Sequence, residues 1–140
     1  MARLAAAALG VVLLVTLLST SASARTRNFC RTSDGDGWST RDVRQVIRCG
    51  EARWSVPGGL TETFSVAICE SGPDLLDHSY DGYAGTFQQS VKYWPERVAA
   101  YNAQRRPKAK VTYDVYNPRS NVLVSIWEAH RNGWGGWSCA

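Results

Sequence analysis

The sequence lacks the signatures of several common chemistries. It has no Cys-x-x-Cys pair and only two histidines, His78 and His130, which stand alone in the chain. Zinc modules need clustered thiolates and imidazoles, so no metal centre is expected. There is no Gly-x-Ser-x-Gly elbow, the turn that a Ser-His-Asp hydrolase uses to expose its serine. Basic residues are scattered except for Arg105, Arg106, Lys108 and Lys110, which read as a solvated loop. No basic stripe interleaved with stacking aromatics is present, which argues against a nucleic-acid partner. Strand signals are thin, with weak alternation over 110–115 only. What is abundant is aromatic: six Trp and six Tyr in 140 residues. A 44% hydrophobic and 20% charged composition is ordinary globular usage and excludes a mainly disordered or collagen-like chain.

Residues 1–24 have the layout of a cleaved secretory signal. Arg3 is followed by an apolar run from Leu4 to Leu18, and Ala22-Ser23-Ala24 supplies a small-x-small cleavage site. The run falls short of the ~20 residues needed to span a bilayer, so no stable membrane insertion is expected after cleavage. Arg3 is the only charged residue in this segment, and its removal takes the net charge from +4 to +3. A mild positive excess suits association with an acidic polymer such as an anionic cell wall. The expected location is secreted and cell-wall associated, as a monomer.

All four cysteines, Cys30, Cys49, Cys69 and Cys139, follow the signal. An even count in an exported chain reads as two disulfides, and four cysteines allow three pairings. The favoured pairing is Cys30–Cys49, closing a local loop, with Cys69–Cys139 tying the middle of the chain to its end. Asp34-x-Asp36-Gly37 lacks the further acids of a calcium loop and reads as a plain turn.

Helical spacing begins at Thr40. Val43, Val46, Ile47 and Trp54 share a face, and Ser39 with Asp42 forms a capping-box pattern. Pro57-Gly58-Gly59 breaks this helix. A second is expected over 60–70, with Leu60, Phe64, Ala67 and Ile68 as its apolar stripe, stopped by Gly72-Pro73. Residues 73–86 read as a polar loop, and a short helix is expected near Phe87–Val91. Pro95 opens a further helix to about Ala103, and residues 104–116 form a basic loop. Asn117-Pro118 caps and starts the last helix, which Gly133 ends. The expectation is a mainly α domain with several short helices and long loops.

Glu70 is the leading catalytic candidate. It lies in the last turn of the second helix, beside Ile68 and Cys69. Desolvation there would favour the neutral carboxyl, the form a general acid needs. A carboxylate at a helix C-terminus also faces an unfavourable dipole.

Ala67-Ile68-Cys69-Glu70-Ser71-Gly72 resembles the catalytic segment of secreted lysozyme-like lytic transglycosylases, including resuscitation-promoting factors. Asp81-Gly82-Tyr83-Ala84-Gly85-Thr86-Phe87-Gln88 is similar to the family's glycine-rich loop ending in Gln, and Trp94 follows. Asn117-Pro118-Arg119-Ser120-Asn121-Val122 and Gly133-Trp134-Gly135-Gly136-Trp137-Ser138-Cys139 are similar to the opening of the last helix and the C-terminal closure. The resemblance covers residues 56–140, leaving 25–55 as an N-terminal extension without a counterpart. Thr86-Phe87-Gln88 departs from the commoner Gly-Leu-Gln or Leu-Met-Gln form.

The resemblance implies a small lysozyme-like fold, no cofactor and a Cys69–Cys139 disulfide. It implies cleavage of the β-1,4 bond between N-acetylmuramic acid and N-acetylglucosamine in peptidoglycan glycan strands. Glu70 takes the catalytic position. Ser71 and Gln88 take substrate-side positions, and Tyr83 and Trp94 flank the groove as sugar-stacking rings. Trp54, Trp127, Trp134 and Trp137 are expected in the core. Hydrolysis would need a second carboxylate, for which Asp74, Asp77 and Asp81 are available. Without one, the substrate's own 6-hydroxyl attacks, giving a 1,6-anhydro product. The alternative is a glycan-binding or signalling module of the same fold without turnover.

Overall fold

The computed structural model describes residues 37–76 and 79–139. The signal segment, Cys30, the Asp34–Asp36 turn, Asp77 and His78 lie outside the described residues. Among the described residues four α-helices carry the fold: α1 (Thr40–Arg53), α2 (Gly59–Ser71), α3 (Trp94–Ala103) and α4 (Pro118–Asn132). Two short strands, β1 (Tyr83–Ala84) and β2 (Gln89–Ser90), form an antiparallel hairpin between α2 and α3. One 3-10 turn, Pro107–Ala109, interrupts the basic loop.

Local chemistry sets the helix ends. The Ser39 hydroxyl accepts from the Asp42 amide at 3.3 Å, and Asp42 accepts from the Ser39 amide at 3.0 Å. The Ser39 hydroxyl also donates to Asp42 Oδ2 at 2.6 Å, and this bond, followed by the one from the Ser39 amide, holds the Asp42 carboxyl below its ordinary range. Asn117 caps α4 by accepting from the Ser120 amide at 3.0 Å. Gly72 and Gly133 close α2 and α4 at positive φ, where a side chain would be strained.

The core is built around α4, whose residues 118–127 are all buried. Its most extensive helix contact is with α1. Val43, Val46 and Ile47 are fully buried in that contact. Gly50 permits the close approach, because a Cβ there would stand 2.6 Å from Ile126 Cδ1. α1 therefore shares one hydrophobic core with the elements that follow it. Tyr101 sits edge-on between Trp54 and Trp127, at 5.7 Å from each ring. Trp134 stacks on Phe87 and meets the edge of Trp137.

Two expectations are corrected. The buried face of α2 is Thr63, Val66, Ala67 and Ser71, while Leu60 and Ile68 are exposed. Hydrogen bonding accounts for the rotation. The Thr63 hydroxyl donates to Gly59 O and the Ser71 hydroxyl to Ala67 O, so both side chains enter the core with their polar atoms satisfied. Phe64 is half-buried beneath the Arg44 and Arg48 guanidinium groups. The helix expected near Phe87–Val91 is instead the second half of the hairpin. Gln88 has φ +43°, which breaks any helix there. Tyr83 pairs with Ser90 and Ala84 with Gln89.

Candidate functional site

α2 delivers Glu70 to its last turn, and the disulfide Cys69–Cys139 draws the C-terminal segment alongside it. The Ser138 hydroxyl donates to Glu70 Oε1 at 3.3 Å. Cys49 is also disulfide-bonded, and its expected partner Cys30 lies outside the described residues. Glu70 is partly exposed. Its flanking residues Ile68 and Cys69 face solvent rather than forming an apolar wall around it.

Next to Ser138, Trp137 enters a cavity of about 250 Å³ between the hairpin, α3 and α4. Tyr83 and Gln88 line the same cavity, with Tyr93, Arg97 and Glu128. Tyr83 is half-exposed, so its ring is accessible. Gln88 is partly buried and donates from Nε2 to Gly85 O at 3.0 Å. The Trp137 indole donates to Phe87 O at 3.0 Å, locking the C-terminal segment onto the hairpin.

The remaining candidates are placed elsewhere. Ser71 is only 2% exposed and its hydroxyl is spent on Ala67 O, so it offers no group to a groove. Trp94 is also 2% exposed, with its indole N–H donated to Tyr113 O at 2.8 Å; it is a core residue and not a stacking platform. Trp54, Trp127 and Trp134 are buried as expected, and Trp137 is half-buried with an edge in the cavity. Asp74 accepts from the Leu76 amide in a local turn, and Asp81 sits at φ +45° in another. His130 Nδ1 lies 2.7 Å from Ser55 O, a structural bond between α4 and the α1–α2 linker.

Glu128 is the acid that sequence reasoning missed. It forms an ion pair with Arg97 at 3.2 Å, and its side chain is 17% exposed. Burial pushes its carboxyl above the ordinary glutamate range, partly offset by Arg97 and by a hydrogen bond from Gln89. Gln89 also accepts from Arg97 and donates to the Ser125 hydroxyl at 2.7 Å, fixing the cavity floor. The available signal was an acid alone on α4, which is otherwise apolar, neutral or basic.

Among the described residues no cluster of His, Cys, Asp and Glu could hold a metal ion, and no helix is long and apolar enough to cross a membrane. No protein-family model, curated protein or solved structure matches this chain.

Proposed function

We propose that this protein is an exported, lysozyme-like enzyme that cleaves peptidoglycan glycan strands, acting as a lytic transglycosylase with Glu70 as general acid and then base. One observation carries the reading. The glutamate segment and the glycine-rich hairpin lie apart in sequence but are joined by the Trp-Ser-Cys closure, whose Ser138 and Cys139 hold the Glu70 turn while its Trp137 lines the hairpin cavity. The aromatic edge, accessible tyrosine and polar floor of that cavity suit a sugar ring, which presents apolar faces and hydroxyl edges.

In this mechanism the Glu70 carboxyl gives its proton to the glycosidic oxygen as the bond from the muramic anomeric carbon breaks. The resulting carboxylate takes the proton of the 6-hydroxyl, whose oxygen closes onto that carbon. Glu70 ends protonated, and the product is a 1,6-anhydro sugar formed without water. Ser138, bonded to Glu70 Oε1, orients the carboxyl.

The test is mass analysis of fragments released from purified peptidoglycan. Anhydro-muramic ends are expected from the wild type. Glu70→Gln should lose at least ~10²-fold in rate while keeping its melting temperature. Near wild-type cleavage by that variant would remove Glu70 from the acid role. The solvent-facing Ile68 and Cys69 favour a second reading, a glycan-binding module without turnover. Binding of chitin-type oligosaccharides without any released fragment is its signature.

A further inference from the structure

A second concavity is lined by residues other than Glu70, and its charge is of one sign. It has a volume of about 660 Å³ and is lined by Arg53, Arg105, Arg106, Lys108 and Arg119. These five cations come from three parts of the fold: the end of α1, the loop after α3, and the first turn of α4. No carboxylate lines the cavity among the described residues. Cations scattered over a surface repel little. Gathered around one cavity without an acid, they oppose folding unless something else gains from the arrangement.

The cavity wall is aromatic. Arg105 lies over Trp54 at 4.6 Å and over Tyr101 at 4.8 Å, and Arg53 lies over Trp54 at 5.0 Å. These contacts hold the Arg105 and Arg53 guanidinium groups against the aromatic wall. Arg105 is therefore not part of the solvated loop that its sequence context suggests. It is half-buried, and its Nε proton is buried without a hydrogen-bond acceptor. A buried guanidinium N–H without an acceptor is costly, and an anion beside the Arg105 guanidinium would offset that cost through its charge. Burial and the nearby Arg53 depress the Arg105 pKa, while Tyr101 opposes this. Burial raises the Tyr101 phenol, which stays a neutral hydroxyl.

We infer that this cavity is a binding site for a phosphate-bearing anion, held by Arg105 and Arg53 on the Trp54–Tyr101 wall with Lys108 at the rim. Planar guanidinium forks match tetrahedral phosphate oxygens, and several forks converging on one volume suit a multiply charged group better than a single carboxylate. Free phosphate and a phosphodiester polymer present the same oxygens, and the titration separates the two sources.

The full chain, with its disulfides intact, is titrated at low ionic strength with inorganic phosphate, with poly(glycerol phosphate) and with polyglutamate. Binding is read by calorimetry and by the Arg105 Nε–Hε signal in proton–nitrogen NMR. Phosphate should shift that signal as its charge settles beside the Arg105 guanidinium. Saturation by inorganic phosphate alone identifies a free-phosphate site. Tighter binding of the polymer, with affinity falling steeply with salt, identifies the phosphodiester source. Arg105→Gln and Lys108→Gln should each weaken binding by about tenfold, the effect of one charge-assisted hydrogen bond. Lys108 is exposed, so its variant keeps the fold if Arg105→Gln does not. Arg41→Gln, on exposed α1 surface outside the cavity, should leave affinity unchanged. An unmoved Arg105 signal, equal binding of polyglutamate, or an equal loss in Arg41→Gln would each overturn the assignment.

Discussion

Replacing Asn121 by alanine should unlatch the hairpin from the central helix. Asn121 is fully buried in the first turns of α4 and makes three hydrogen bonds. Its Oδ1 accepts from the Phe87 amide at 2.9 Å, and its Nδ2 donates to Ala84 O at 3.0 Å and to Val115 O at 3.1 Å. One side chain thus joins the first hairpin strand, the hairpin turn and the loop before α4. Alanine leaves a buried amide N–H unpaired and takes a donor from two carbonyls. At ~1–3 kcal/mol for the orphaned N–H and ~1 kcal/mol for each carbonyl, the loss is about 3–5 kcal/mol. That is a large share of the ~5–15 kcal/mol typical of a domain, and corresponds to a fall in Tm of roughly 10–20 °C. Urea unfolding followed by tryptophan fluorescence should show a lower midpoint with an unchanged slope. Asn121→Asp keeps the acceptor for Phe87 but sets an oxygen against two carbonyls, so it should be about as damaging. Gly85→Ala attacks the same junction: its Cβ would lie 2.4 Å from Asn121 Nδ2 and 2.9 Å from Val115 O, at φ +74°. A loss below about 1 kcal/mol in Asn121→Ala would refute the latch, since no network of three buried bonds is that weak.

Glu128 should make stability fall as pH rises. Its folded pKa is raised by burial, so the folded state binds the proton more tightly than the unfolded chain does. Its favourable contribution is complete below the ordinary glutamate range and is lost as pH climbs through the raised folded value. Glu128→Gln should flatten that decline, and parallel stability–pH curves for the two proteins would contradict the burial argument. Replacing Cys69 and Cys139 together by serine should cost about 4 kcal/mol, from the chain entropy of a loop of 70 residues, measured by chemical unfolding. Ser39→Ala should cost ~1 kcal/mol of stability by loss of the α1 cap. The Asp42 contribution that Ser39 supports is present above the ordinary aspartate range and lost as pH falls through the lowered folded value, so the variant should show less acid sensitivity.

The helices were legible because their ends carry their own chemistry. Ser39 with Asp42, Asn117 before Pro118, and Gly72 and Gly133 each act within a few residues, and each lies at a helix boundary. The hairpin was not legible, since two-residue strands hold no alternation and their register depends on Asn121, over thirty residues away. The face of α2 was misread because Thr63 and Ser71 bury hydroxyls that bond within their own helix, which a count of apolar residues cannot register. Trp94 and Tyr83 are equally aromatic in sequence, yet the partner of the Trp94 indole is a carbonyl of the 104–116 loop, nineteen residues on. Glu128 escaped notice because its pairing with Arg97 joins two helices.

The last helix and tail set an order on the making of this protein. Ile126 receives Gly50, His130 and Trp134 meet the carbonyls of Ser55 and Pro57, Asn121 and Trp137 hold the hairpin, and Cys139 holds α2. A ribosome produces all of these partners after the segments they support. While residues 118–139 are still unmade, α1, which carries Val43, Val46 and Ile47, lacks α4, its most extensive helix partner. The growing chain stays open through most of its synthesis, and its core forms only when the final segment arrives to draw distant stretches together, a non-local search that is slow by nature.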